Sequence, residues 1–180
     1  MLANAADAPA FAAVPAMKRL RGQVSELPGD WIVAPRHPVA GDGYVMPSID
    51  GTVFVGATYE FDGDPSATGL LHQAHAENVD QLARLLDVAP RHATADEIDA
   101  LDGRVGWRAV NLDRLPSIGH FEAQDPRRSI VAGLGSRGVT WAALAGEQLA
   151  ALLAGDPEPL ERRLAKATDP VRFARRGRPA

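Results

Sequence analysis

The feature that most constrains this chain is an apolar run, a glycine loop and an Ala-rich stretch in immediate succession. Ser129-Ile-Val-Ala132 is the run, Gly133-Leu-Gly135-Ser136-Arg137-Gly138 is the loop, and residues 139–154 follow. Their lengths and periodicity describe a buried strand, a tight turn and a helix. The first amides of such a helix have no partner within it, and with the positive end of its dipole they face whatever occupies the loop. An anionic or electron-rich ligand is the expected guest. The loop matches the G-x-G-x-x-G dinucleotide pattern, but a working fingerprint opens a βαβ unit and needs a second parallel strand with an acidic residue about 20 positions on. Beyond Gly155 come only Asp156-Pro-Glu-Pro159 and a charged segment, so that reading fails at its second strand. The other alternative is a structural loop whose glycines serve close helix packing. Arg137 speaks against it, because the turn needs no arginine.

Composition narrows the class. A chain of 180 residues with 46% hydrophobic content can bury the core of one ordinary domain. It lacks both an apolar run of about 18 residues and the basic and apolar regions of a secretory signal, so a cytoplasmic protein with no membrane partner is expected. The absence of cysteine excludes disulfides, thiolate metal sites and cysteine nucleophiles. Net charge is -4, unevenly placed: from Glu161 onward seven basic residues face two acidic ones, a balance of +5 that leaves -9 for the rest. Such a basic tail either contacts phosphates or is a solvated terminus.

Along the chain, Met1-Leu-Ala-Asn-Ala-Ala-Asp-Ala-Pro9 opens with a short apolar run and no capping or linker signal, as an entry in mid-fold. Residues 18–27 have strand character around Arg21-Gly22-Gln23-Val24, ended by Pro28-Gly29. Residues 43–49 and 52–58 are two β-rich runs joined by Asp50-Gly51, which suits a tight antiparallel hairpin. Asp64-Pro65-Ser66 is a helix-start cluster, and Leu70, Leu71, Ala74, Asn78, Leu82, Leu85 and Leu86 then fall near one stripe of a helix ending near Asp87. Thr94-Ala-Asp-Glu97 has capping-box spacing and predicts a short helix to about Leu101.

Residues 103–110 alternate: Val105, Trp107 and Ala109 share one face of a strand, Arg104, Gly106 and Arg108 the other. Arginines on an exposed sheet face are common. The functional alternative is a carboxylate or phosphate clamp, with Gly106 leaving room for a flat ligand and Arg108 the stronger anchor.

Leu2-Ala-Asn-Ala-Ala-Asp7, Arg21-Gly-Gln-Val24, Gly43-Tyr-Val-Met-Pro47, Val55-Gly-Ala-Thr-Tyr59, Gly103-Arg-Val-Gly-Trp-Arg108, Asp113-Arg-Leu-Pro-Ser-Ile-Gly119 and Gly133-Leu-Gly-Ser-Arg-Gly138 occur in that order. Together they resemble the C-terminal half of flavin amine oxidases of the D-amino-acid oxidase and glycine oxidase superfamily. Within it, the likeness is to the FAD-dependent oxidoreductase domain of the bifunctional tRNA 5-methylaminomethyl-2-thiouridine biosynthesis family, as a fragment.

The resemblance implies an α+β fold of the D-amino-acid oxidase type, incomplete: an antiparallel substrate-domain sheet with flanking helices, plus the C-terminal strand, loop and helix of an FAD-binding domain. Residues 1–18 would end the FAD-binding domain, 19–112 form the substrate domain, 113–160 return to the flavin and 161–180 make the basic tail. An upstream FAD-binding half is expected as partner, and no methyltransferase domain is present in these 180 residues. The implied activity is removal of the carboxymethyl group from 5-carboxymethylaminomethyl(-2-thio)uridine at the tRNA wobble position, with FAD as cofactor and glyoxylate released. A glycine- or sarcosine-type small-amine oxidase and an inactive remnant are the alternatives. By motif position Arg108 and Arg137 would hold the substrate carboxylate, with Tyr44, Gln23 and Gly22 as further pocket residues. Gly133, Gly135, Ser136, Arg137 and Gly138, with Gly106, would face the flavin. The cofactor carries the hard chemistry, so no strong acid or base is required of the protein.

Three other constellations carry less. His72 and His75, three apart on a helix, lack a third ligand nearby, and no metal is expected. Ser136 does not sit in G-x-S-x-G, and nothing in sequence places His120 beside it. Trp31, Trp107 and Trp141 read as packing residues, with base stacking left open for one of them.

Overall fold

The computed structural model describes residues 1–3, 5–12, 14, 17–61, 68–88, 94–122, 125 and 127–175. Two compact units emerge, one of Met1–Leu20 with Arg108–Ala180, the other of Arg21–Trp107. Strand β1 (Met17–Pro28) belongs to a six-stranded sheet ordered β2-β3-β4-β1-β5, with β6 also paired to β1. The short members are β2 (Val39–Ala40), β3 (Tyr44–Val45), β4 (Thr52–Gly56) and β5 (Glu60–Phe61), while β6 spans Asp102–Asn111. The fold is the mixed, antiparallel architecture that the sequence implies.

In the unit of Arg21–Trp107, β1 and β4 run antiparallel from Val24 opposite Gly56 to Pro28 opposite Thr52. The turn into β4 forms as expected: Asp50 and Gly51 both take positive φ, 49° and 81°, and Ile49 bridges Thr52. Paired positive φ values give the turn a twist that matches the flanking strands. Val45, Val53 and Val55 point inward with Leu27 and Trp31 and meet Leu82 of a flanking helix and Leu101, the residue before β6. Each such side chain withdrawn from water contributes roughly 1.5–3 kcal/mol.

Helix α1 spans His72–Leu86 and ends at Asp87, whose φ of 51° is left-handed, with its N–H donating to the Ala83 carbonyl. Ala74, Asn78 and Leu82 of the expected stripe are buried, and Leu85 and Leu86 pack against the core. Leu70 and Leu71 are not on it. Both are exposed, and Leu71 is the extended residue before the helix, with φ -117° and ψ 129°. The cause lies on β1: Gln23 Oε1 accepts the Leu71 N–H at 2.9 Å, and Gln23 Nε2 donates to the Leu71 carbonyl at 3.0 Å. A backbone clamped on both sides starts its helix one residue later. The Asp64-Pro65-Ser66 cluster lies outside the described residues. Helix α2 (Ala95–Asp99) starts at the complete Thr94–Glu97 capping box.

In the other unit, Leu2 forms a parallel bridge to Ile130, giving its N–H to the Ser129 carbonyl and accepting from Val131. Strands β7 (Ser117–His120) and β8 (Ser129–Ala132) pair antiparallel, from Ser117 opposite Ala132 to His120 opposite Ser129. Ala8, Val14, Ile130 and Ala132 form one apolar cluster; Ile118, Ala145 and Leu149 form a second. Ala145 and Leu149 come from α3 (Gly138–Ala154), the Ala-rich helix, whose Val139, Leu144 and Leu153 remain exposed. Helices α4 (Arg162–Thr168) and α5 (Arg172–Arg175) complete the unit.

Not all of the basic tail is solvated or free for phosphates. Arg172 is buried and bidentate on Asp113, at 2.8 and 3.0 Å. It also donates to the Leu115, Thr168 and Asp169 carbonyls and lies over the Phe173 ring. Every face of its guanidinium is occupied, which makes it a structural residue.

Candidate functional site

The glycine loop follows β8 in the expected order of strand, turn and helix. Gly133 and Gly135 have φ values of 70° and 59°, a region costly for other residues. Gly133 is required twice over: a Cβ there would stand 2.2 Å from Asn111 Nδ2. Asn111 cannot withdraw, because that nitrogen donates to the Leu115 carbonyl at 2.7 Å and to Ser117 Oγ at 3.1 Å. Gly135–Arg137 then form one 3-10 turn leading into α3.

The start of α3 is left open. Arg137 occupies the position before the helix with no side-chain capping bond, and no acidic residue lies in the first turn. Ser136 and Arg137 are exposed. A 17-residue helix therefore presents its first amides and its positive dipole end at an exposed loop.

Val110 of β6 bridges Leu134 of this loop. Arg108, two residues earlier, shares Val110's face of the strand and is half-buried. One backbone bridge thus ties the strand end that carries Arg108 to the loop that carries Arg137. Asn111 completes the joint from the next position of β6. No motif marks Asn111, because its role depends on contact with a glycine 22 positions away.

The other expected site residues belong to the Arg21–Trp107 unit. Gly106 lies on β6 facing open space, since a Cβ there would meet nothing within 4 Å. Tyr44 is half-buried on β3, opposite Gly56. Gln23 is fully buried, and its amide is spent on Leu71 and on Arg21 Nη2. Gly22 beside it is buried as well. Arg21 is 1% exposed and gives Nη1 to Glu60 at 2.5 Å and Nη2 to the Gly69 carbonyl at 2.6 Å.

The two histidines of α1 have separate partners. His72 Nδ1 lies 2.6 Å from Asp99 Oδ1, whereas buried His75 meets Ser25 Oγ at 2.8 Å through Nδ1. Burial holds the His75 pKa below the ordinary histidine value; His72 lowers it further, and Asp99 and Asp102 oppose the shift. Among the described residues no three metal-binding side chains cluster. Nor is any helix long and apolar enough to cross a membrane.

The antiparallel sheets with this strand, loop and helix share their fold with solved structures of two oxidases. Iminodiacetate oxidase from Chelativorans sp. BNC1 superposes with a TM-score of 0.68 at 23% identity, over 92% of this chain and 43% of that one. Glycine oxidase from Geobacillus kaustophilus superposes at 0.67 and 16% identity, over 92% and 42%. The FAD dependent oxidoreductase family model matches residues 2–152, and the chain belongs to that family. A curated relative is the tRNA 5-methylaminomethyl-2-thiouridine biosynthesis bifunctional protein MnmC of Burkholderia thailandensis, 41% identical over all of this chain and 31% of its own length. The protein of the same name from Paraburkholderia phymatum is 39% identical, over 87% of this chain and 27% of its length. The chain thus spans about a third of the relatives it matches.

The residues present fit the family's cofactor. An uncapped helix start with no carboxylate in its first turn, and a loop kept free of Cβ atoms at Gly133 and Gly135, offers main-chain donors to an electron-rich ring edge.

Proposed function

We propose that this chain is the substrate-handling part of an FAD-dependent amine oxidoreductase that removes the carboxymethyl group from 5-carboxymethylaminomethyl(-2-thio)uridine at the tRNA wobble position. The observation that carries this reading is the Val110–Leu134 bridge, which couples Arg108's strand to Arg137's uncapped loop. The names of relatives 41% and 39% identical to the chain supply the substrate class. Action on tRNA carries with it a cytoplasmic location.

The substrate ends in an N-substituted glycine, a secondary amine one carbon from a carboxylate. Arg108 and Arg137 grip that carboxylate, since a guanidinium fork matches its two oxygens in geometry and charge. Fixing the carboxylate also fixes the carbon between it and the amine. When bound, FAD accepts the hydride from that carbon and passes the electrons to dioxygen. The amides of Gly135 and Ser136, which open the 3-10 turn into α3, favour negative charge at the ring edge with the α3 dipole behind them. Loss of the hydride leaves a substrate imine; water adds to it, the C–N bond breaks, and the products are aminomethyl-uridine and glyoxylate. Gly106 and Tyr44 enter this reading by motif position alone, Gly106 as room for a flat ring and Tyr44 as a hydroxyl. Gln23 holds the Leu71 backbone and so fixes the start of α1.

The relatives are about three times longer than this chain, and the exposed apolar residues of α3, Val139, Leu144 and Leu153, suit the FAD-binding portion as the partner that covers them. The test is flavin absorption and turnover of the chain assembled with that portion. Arg108→Ala and Arg137→Ala should each lower kcat/KM for the carboxymethylated substrate by about 2 kcal/mol, as for loss of a charged anchor. Lysine at either position should restore little, because it lacks the fork. Wild-type kinetics in both alanine variants overturn the assignment.

A further inference from the structure

Arg162 and Lys166 lie four residues apart on α4 and therefore on one face of it. Both line a cavity of about 620 Å³ in the unit of Met1–Leu20 and Arg108–Ala180, together with His120 of β7 and Gln148 of α3. Two carboxylates also border it, and both are engaged. Glu158 accepts from Gln148 Nε2 at 2.5 Å, and Asp169 accepts the Val171 N–H at 3.0 Å. By contrast, the side chains of Arg162 and Lys166 have no ion-pair or hydrogen-bond partner among the described residues. His120 Nδ1 is buried and likewise unpartnered among them. Two exposed cations thus stand at the cavity with no protein partner among the described residues, and one buried ring nitrogen, His120 Nδ1, is unsatisfied; buried polar atoms are ordinarily satisfied by protein, water or ligand.

This cavity is not the glycine loop. Gln148 lies ten residues along α3 from Gly138, about 15 Å at the helical rise of 1.5 Å per residue. Its cationic wall also follows residue 152, where the family match ends. We propose that the cavity seats a backbone phosphate of the RNA substrate, remote from the reacting base. The inference rests on the tRNA reading above. Volume and side-chain chemistry agree with it: small-ligand pockets run about 300–1,000 Å³, and a guanidinium and an ammonium on one helix face suit a phosphate with two or more accessible oxygens, while Glu158 and Asp169 are turned to the Gln148 amide and the Val171 N–H. Net charge supports it too. With -9 outside the last 20 residues, attraction for a polyanion has to be supplied locally, and this segment is where the surplus of cations lies.

The test measures binding of an unmodified tRNA transcript to the full chain over a series of KCl concentrations. Arg162→Ala with Lys166→Ala should weaken binding at least tenfold and flatten the logarithmic salt dependence by about two counterions, one per lost contact. Arg163→Ala removes an equal charge from the same helix without touching the cavity and should stay within twofold of wild type. Millimolar inorganic phosphate should compete with the transcript in wild type and lose that effect in the double variant. Arg162→Lys with Lys166→Arg keeps both charges and guards against a folding artefact: near-wild-type affinity supports the seat, and a loss equal to the alanine pair overturns it. The proposal also falls if the alanine pair binds like wild type, or if Arg163→Ala costs as much. Flavin content, read separately in the visible spectrum, distinguishes the two claims. A flavin-free assembly that still needs Arg162 and Lys166 for RNA sinks the oxidoreductase reading alone; a flavin-loaded one indifferent to them sinks only the seat.

Discussion

Two helix starts in this molecule are built in opposite ways. At α2, Thr94 Oγ1 accepts the Glu97 N–H at 3.2 Å and Glu97 Oε2 accepts the Thr94 N–H at 2.9 Å, so the end is closed by its own side chains. At α3 the residue before the first turn makes no side-chain capping bond, and it is an exposed arginine. The lengths explain why both survive. A five-residue helix cannot offset its nucleation cost unaided, whereas a 17-residue helix anchored by buried Ala145 and Leu149 tolerates open donors. Donors left open on a well-anchored helix are available to a ligand; those of α2 are not.

The largest effect should come from closing the open loop by force. Gly133→Ala places a methyl group in left-handed backbone and against an Asn111 that two hydrogen bonds hold, and should cost roughly 3 kcal/mol in urea unfolding. A loss below about 1 kcal/mol would mean that Asn111 yields, and that the loop is less fixed than its contacts imply. Removing the sealed cap comes next. Thr94→Ala should cost about 1 kcal/mol, leaving flavin binding in the assembled protein unchanged.

Acidification probes a third helix start. His75, in the first turn of α1, is neutral in the folded chain, and its pKa lies below the unfolded value near 6.5. Its contribution is therefore complete above that value and is lost as pH falls towards the lowered folded pKa, because the unfolded chain takes up the proton first. The melting temperature should drop from pH 7.5 to pH 5.5, and His75→Gln should flatten that dependence. An unchanged slope in the variant would place the titration elsewhere. The smallest expected effect is the sharpest for the comparison. Arg137→Asp puts a carboxylate at the open start of α3 and should stabilise the flavin-free chain by about 0.5 kcal/mol while weakening flavin and substrate binding. Destabilisation without flavin would show that Arg137 holds the loop itself.

Much of this was legible because it is local. Asp50-Gly51 demanded a particular turn, Thr94 and Glu97 are three residues apart, and β6 alternates over a few positions. Where contacts reach across the chain, local reading failed. Leu71 fits a helical stripe by spacing, yet Gln23, 48 residues earlier, holds its backbone extended. Arg172 looks like part of a basic tail until Asp113, 59 residues away, appears against it. Asn111 carries no motif, although the glycine loop is shaped around it.

By itself, the sequence determined the element types, the hairpin, the capped helix and a helix start stripped of carboxylates and guarded by Arg137. These follow from steric and hydrogen-bonding preferences that act over one or two turns of chain. Tertiary structure alone decided that Val110 meets Leu134, that Arg21 and Arg172 are consumed inside the fold, and that Arg162 and Lys166 border a cavity. Such choices depend on which distant segments pack together. Packing is settled by the burial and hydrogen-bond satisfaction of the whole chain, a quantity that no short window of residues contains.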